Sequence, residues 1–187
     1  MKHATRIAQT KAWIEQLVIG MNLCPFASVP FRKGQIRYRV VDAGLQAEEW
    51  VSLLLAEGRM LLDPGQTEPI ETTLLILPEG WSDFVAYLDL VGVLEQVIAD
   101  AGWVGDIQLA TFHPEYQFAG SAPDDPANYT NRSPYPMLHL LREDRLSEAL
   151  ANYPHPERIP EVNMQQMRKR GKAQLEQLLN EIKKLDT

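Results

Sequence analysis

Only one cysteine, Cys24, occurs in the 187 residues, so the chain can build neither an intrachain disulfide framework nor a cysteine-only zinc site. A reducing, cytoplasmic compartment is the setting that this usage predicts. Positive charge is also scarce. Lys and Arg number 18 against 25 Asp and Glu, a net charge of −7 with a pI near 5.1, which argues against nucleic acid as the partner. Long apolar runs are missing. Phe84 to Val97 is interrupted by Asp89, Gly92 and Glu95, and a membrane-spanning helix needs about 20 nearly uncharged residues. No membrane span is expected. The first residues, Met1 to Arg6, are polar and lack the pattern of a targeting signal. Nor is there a Gly-x-x-x-x-Gly-Lys phosphate loop, a dinucleotide fingerprint or a Gly-x-Ser-x-Gly elbow. Readings as an ATPase, a nicotinamide dehydrogenase or a serine hydrolase lose their main support.

What is present is 45% apolar residue content, enough for one domain, residues 1–187, with a sizeable core. Ile7, Ile14, Leu17, Val18 and Met21 recur at helical spacing and predict a first helix from about Thr5 to Gly20. Ile36, Tyr38 and Val40 alternate with Arg37 and Arg39, a strand with one apolar and one cationic face. Leu45 to Leu62 reads as a second helix closed by Asp63-Pro64-Gly65. Thr72 to Leu77 reads as a buried strand, and Ser82 as the cap of a third helix ending near Ala101. Asp106 to Phe112 is the next strand, Met137 to Arg142 another, and Glu143 to Ala151 a short helix. The predicted class is therefore α/β, with α+β as the alternative: a layered sheet of about four to five strands packed with helices.

Two stretches stand apart. Eight of the 13 prolines and four of the six tyrosines lie between Pro114 and Pro160. Within it, the 24 residues from His113 to Pro136 show neither helical nor strand periodicity, and loops of that length are usually functional or disordered. Phe112, Tyr116, Phe118, Tyr129 and Tyr135 give this loop anchors, which favours order. Near the end of the chain, Met164, Met167, Gly171, Leu175, Leu178, Ile182 and Leu185 make one amphipathic stripe. It could cover the protein's own core or form the seam of a homodimer.

Chemistry concentrates around the Pro-rich loop. His113 directly follows a strand, where α/β layers tend to bind ligands, and it could act as general acid or base with Glu115 orienting it. Its bland alternative is a ring that ties down the loop. Arg132, with Asn131 and Ser133 beside it, offers a planar donor fork to an anion, or else pairs with Asp124 or Asp125. His139 sits on a strand among apolar neighbours. It reads as a hydrogen-bonded core residue unless its face also bears Arg37, Arg39 or Gln108, which would make a polar cleft. Cys24 could cap a turn beginning at Pro25 and act as a nucleophile, or be a buried, inert thiol. His113, Glu115, His139 and Asp125 or Cys24 have none of the compact spacings of a metal site, so neither metal nor cofactor is assigned.

The strings Asn22-Leu23-Cys24-Pro25-Phe26-Ala27, His113 to Gly120 and Asp124 to Leu141 resemble a bacterial family of uncharacterised proteins, domain-of-unknown-function family 1415. The resemblance extends over nearly the whole chain and includes Ile159 to Asn163. It implies a bacterial, cytoplasmic, free-standing domain and brings no reaction or cofactor with it. Two functions remain in view. One is an enzyme acting on a small anionic molecule, with His113, Glu115 and Cys24 catalytic and Arg132, Asn131, Ser133, His139 and Arg39 holding substrate. The other is a non-catalytic module that binds a small ligand or a protein partner.

Overall fold

A computed structural model describes residues 2–63, 65, 69–77, 79–151 and 153–185. Among the described residues four strands, β1 (Ile36–Val40), β2 (Thr72–Ile76), β3 (Ile107–Phe112) and β4 (Met137–Arg142), pair in the order β1-β2-β4-β3. β1 and β2 run parallel, joined through helix α3 (Ala47–Leu62), while β4 is antiparallel to both β2 and β3. The sheet is mixed and open, within an α/β protein that is 56% helical. All five residues of β2 are buried, as its uninterrupted apolar character and central place require.

Strand periodicity divides the core in two. Leu75, Leu138, Leu140 and Ile107 face α3 and α4 (Phe84–Asp100) on one side. On the other side, Leu74, Ile76, Met137 and Ile36 meet α1 (Lys2–Trp13) and two C-terminal helices, α6 (Ile159–Arg170) and α7 (Lys172–Lys183). The remaining helices, α2 (Ser28–Arg32) and α5 (Glu143–Ala151), connect the layers.

Several boundaries differ from those expected. The first helix widens into π-type turns over Ile14–Ile19, where Gly20 N–H donates to Glu15 O and Leu23 N–H to Val18 O. Asp83, not Ser82, caps α4, its carboxylate accepting from Ala86 N–H at 2.9 Å. In the expected Asp63-Pro64-Gly65 turn Pro64 lies outside the described residues, while Asp63 Oδ1 accepts from Gly65 N–H. The C-terminal stripe is not one helix. Gly171 adopts φ 81°, ψ 151°, a conformation open essentially to glycine alone, and separates α6 from α7. The break lets Met167 and then Leu175, Leu179 and Ile182 reach the same core, so these residues cover the protein's own sheet.

Candidate functional site

The Pro-rich loop is held by its own polar groups. His113 is fully buried, its ring tilted against Phe84 and Tyr87 with ring centroids 5.1 Å away in each case. Its Nε2–H donates to Trp81 O at 3.0 Å, and its Nδ1 accepts from Glu115 N–H at 3.0 Å. Both nitrogens are engaged by main chain, and burial holds its pKa below the ordinary value, so the ring is neutral. Glu115 therefore orients His113 through its amide, while its residue surface is exposed to solvent.

Arg132 behaves alike. Its Nε donates to Tyr116 O at 3.2 Å and one terminal nitrogen to Pro123 O at 2.9 Å, with the guanidinium 4.6 Å from the Tyr129 ring centroid. Asp125, a candidate partner for Arg132, pairs with Arg168 at 2.8 Å. Asn131 Nδ2–H donates to Thr111 O, and Ser133 Oγ–H to Tyr135 O. The organiser that sequence reasoning passed over is Asn128, fully buried. Its Oδ1 accepts from Phe118 N–H and Ser121 Oγ–H, while its Nδ2–H donates to Ala122 O. An asparagine that uses one acceptor twice and one donor against main chain closes a loop as a short strand would.

Cys24 does head the turn that starts at Pro25, with Ala27 N–H donating to Cys24 O at 3.2 Å and the Phe26 and Ala27 amides near its thiol. Those amides favour thiolate, but burial outweighs them and the pKa lies above the usual value. Cys24 is a free thiol in its neutral form.

His139 and the arginines of β1 occupy opposite faces of the sheet. Register aligns His139 with Leu74, and Leu74 with Tyr38, whereas Arg37 aligns with Thr73. Of the three polar residues that would have made His139 part of a cleft, only Gln108 shares its face. The Thr72 hydroxyl lies 2.6 Å from Leu140 O and gives its single proton there, so His139 Nε2 carries the proton directed at Thr72 Oγ1. Burial lowers its pKa to about 4. Nδ1 has no protein partner among the described residues. Among the described residues, no three His, Cys, Asp or Glu side chains cluster as metal ligands would.

The open site lies at the other edge of the sheet. Where β1 ends, the chain turns through Val41, Asp42 and Leu45 into α3, whose first turn is fixed by a capping box between Gln46 and Glu49. Between this turn and the strand is a cleft of about 410 Å³ lined by Arg39, Val40, Asp42, Leu45, Glu48 and Ser52 among others. Its cation is set by a residue that sequence reasoning missed. Glu57 lies fully buried on the apolar stripe of α3, between Leu54 and Leu61. It accepts from Arg37 Nε at 2.8 Å and Arg37 Nη2 at 3.3 Å, and from Arg39 Nη1 at 2.8 Å. One carboxylate thus holds two guanidiniums, and Asp42, Glu48 and Glu49 line the cleft around Arg39. The Arg39 side chain remains 44% exposed, and its other N–H groups have no partner among the described residues. The signal in the sequence was a lone acid at a core position of a helix beside a strand with two outward arginines, since a buried carboxylate must find a partner.

A family model described as "Protein of unknown function (DUF1415)" matches residues 5–177. No curated protein and no solved structure matches the chain. With the match spanning nearly the whole sequence, from α1 into α7, the chain belongs to the DUF1415 family.

Proposed function

We propose that this protein binds a small molecule bearing an anionic group in the cleft between β1 and α3, with Arg39 as the clamp. The observation that carries the reading is that Arg39, gripped by buried Glu57 at one nitrogen, lines the cleft with its remaining donors unused. Asp42 and Glu48 on the same walls would receive hydroxyl or amino donors of the ligand, so a small acid that also carries such donors fits better than a bare anion. His113, Arg132, Asn131 and Ser133 support this reading from outside the cleft: they hold the β3–β4 loop and leave ligand binding to β1. A bacterial cytosol belongs to the same proposal, supported by the free thiol of Cys24. Among the described residues no helix is long and apolar enough to cross a membrane.

The test is thermal unfolding of the parent, Arg39→Gln and Arg132→Gln proteins against a panel of hydroxy and amino acids, dicarboxylates and phosphate esters. A ligand at about 100 times its Kd should add about 2.7 kcal/mol of stability to the parent and to Arg132→Gln, and almost none to Arg39→Gln. A ligand that stabilises Arg39→Gln as fully as the parent overturns the assignment.

A further inference from the structure

Charge is distributed very unevenly along this chain. From Met60 to Asn131 there is no Lys or Arg, while that segment holds 12 Asp and Glu. The other 115 residues carry all 18 Lys and Arg against 13 acids. Helix α4 lies inside the cation-free segment. It turns Tyr87, Leu90, Val91, Leu94 and Ile98 inward, and among the described residues no element covers its opposite face.

That outer face is unusually apolar for a solvated helix. Seven large apolar residues are exposed among the described residues, and three of them, Val85 at 69%, Leu88 at 43% and Val93 at 54%, are on α4. A fourth, Val104 at 75%, is in the turn that follows. Between them Gly92 is open, with nothing within 4 Å of where a β-carbon would stand. The only charges on the face, Asp89, Glu95 and Asp100, are exposed and of one sign. Exposed apolar side chains scattered singly call for no explanation, but Val85, Leu88 and Val93 share the outer half of one helix with charges of one sign only, Asp89 lying one turn from both valines.

We infer that the outer face of α4 is a docking surface for a basic amphipathic helix of a protein partner. Val85, Leu88 and Val93 supply the apolar contact, and Asp89, Glu95 and Asp100 meet the partner's Lys and Arg. Charge complementarity selects this occupant. A second copy pairing through the same face would oppose acid to acid, and an anionic lipid surface would be repelled. The 17 residues of α4 span about 25 Å, the length of a partner helix of four to five turns.

Two synthetic helical peptides of about 18 residues decide it, sharing one leucine face and differing in Lys or Glu on the polar face. Their affinities for the full chain are read by fluorescence anisotropy at low and physiological salt, with hydrogen exchange mapping the footprint. The Lys peptide should bind at least about ten-fold more tightly than the Glu peptide, weaken with salt, and protect residues 84–100. The variant Val85→Ser/Leu88→Ser/Val93→Ser should lose at least about ten-fold in affinity at unchanged helix content. Equal binding of both peptides, protection elsewhere on the surface, or full affinity in the folded triple variant overturns the inference. So does concentration-dependent protection of α4 without peptide, which would make a second copy the occupant. Should the triple variant fail to fold, the footprint on the parent decides alone.

Discussion

Replacing Glu57 by glutamine tests the arrangement on which the cleft depends. The carboxylate is wholly buried and accepts three bonds from two arginines whose side chains are 36% and 44% exposed. Glutamine keeps one acceptor oxygen and turns the other into an NH2 donor facing a guanidinium, so at least one of the three charge-assisted bonds, each contributing about 1.5–3 kcal/mol, is lost outright and the others are weakened. Part of that loss is offset, because the variant no longer buries a charge and both guanidiniums can turn to water. The expected net destabilisation is about 2 kcal/mol for Glu57→Gln. For Glu57→Ala, which also leaves a void beside Leu54 and Leu61, it is about 3 kcal/mol. Urea unfolding of parent and variants should show lower midpoints at unchanged slope. A Glu57→Gln protein within about 0.5 kcal/mol of the parent would refute the idea that the pair of arginines needs the buried charge. Combined with Arg39→Gln, the two losses should fall short of additivity, since the substitutions remove one interaction twice.

Stability should also decline in acid through His139. Its folded pKa is about 4 against 6.5 for the free side chain. Between those values the unfolded chain binds the extra proton, so the contribution is complete above about pH 6.5 and disappears as pH falls to 4. At 1.36 kcal/mol per unit the loss approaches about 3 kcal/mol. His113 shifts in the same direction and steepens the limb, and His139→Gln should flatten it in urea midpoints measured from pH 7 to 4. Cys24 should react with iodoacetamide more slowly at pH 7.5 than an unhindered thiol, because burial raises its pKa; faster reaction would contradict that balance. Gly58→Ala should cost about 1–3 kcal/mol, since a β-carbon there would stand 2.3 Å from the Trp103 ring, although alanine normally stabilises a helix interior. Gly92→Ala, on the open face of α4, should instead gain close to 1 kcal/mol in the same assay.

Much of the architecture was legible because one short-range signal dominated each element. The apolar run of β2, the alternation of β1 and the spacing of α3 and α4 survive as helices or strands within a residue or two of where periodicity puts them. Boundaries moved where two local solutions compete. Ser82 and Asp83 can both cap α4, and the carboxylate forms the bond. The C-terminal stripe misled for a different reason. Met164 to Leu185 keeps helical period straight through Gly171, so periodicity alone predicts one rod, and only the left-handed backbone at Gly171 reveals that the rod is broken to fold onto the core.

The candidate site was harder to see, because a residue type suited to catalysis is also suited to holding a loop. His113, Arg132, Asn131 and Ser133 were singled out for donors and acceptors that the 24-residue loop needs for its own main chain. A segment with so little regular pairing must satisfy its buried amides and carbonyls with side chains. The same accounting adds Glu57 to Arg39, which the sequence already offers as a substrate-holding residue. A strand with two arginines on one face cannot bury them unpaired, and α3 offers one acid, Glu57, on its apolar stripe. Matching buried acid to cationic strand identifies the pair before any coordinates, and the cleft follows because one carboxylate cannot occupy all the donors of two guanidiniums. In this chain unusual residues in an irregular segment point to how that segment is held. A polar residue out of place on a regular element, as Glu57 is on α3, points to the groups that pair with it.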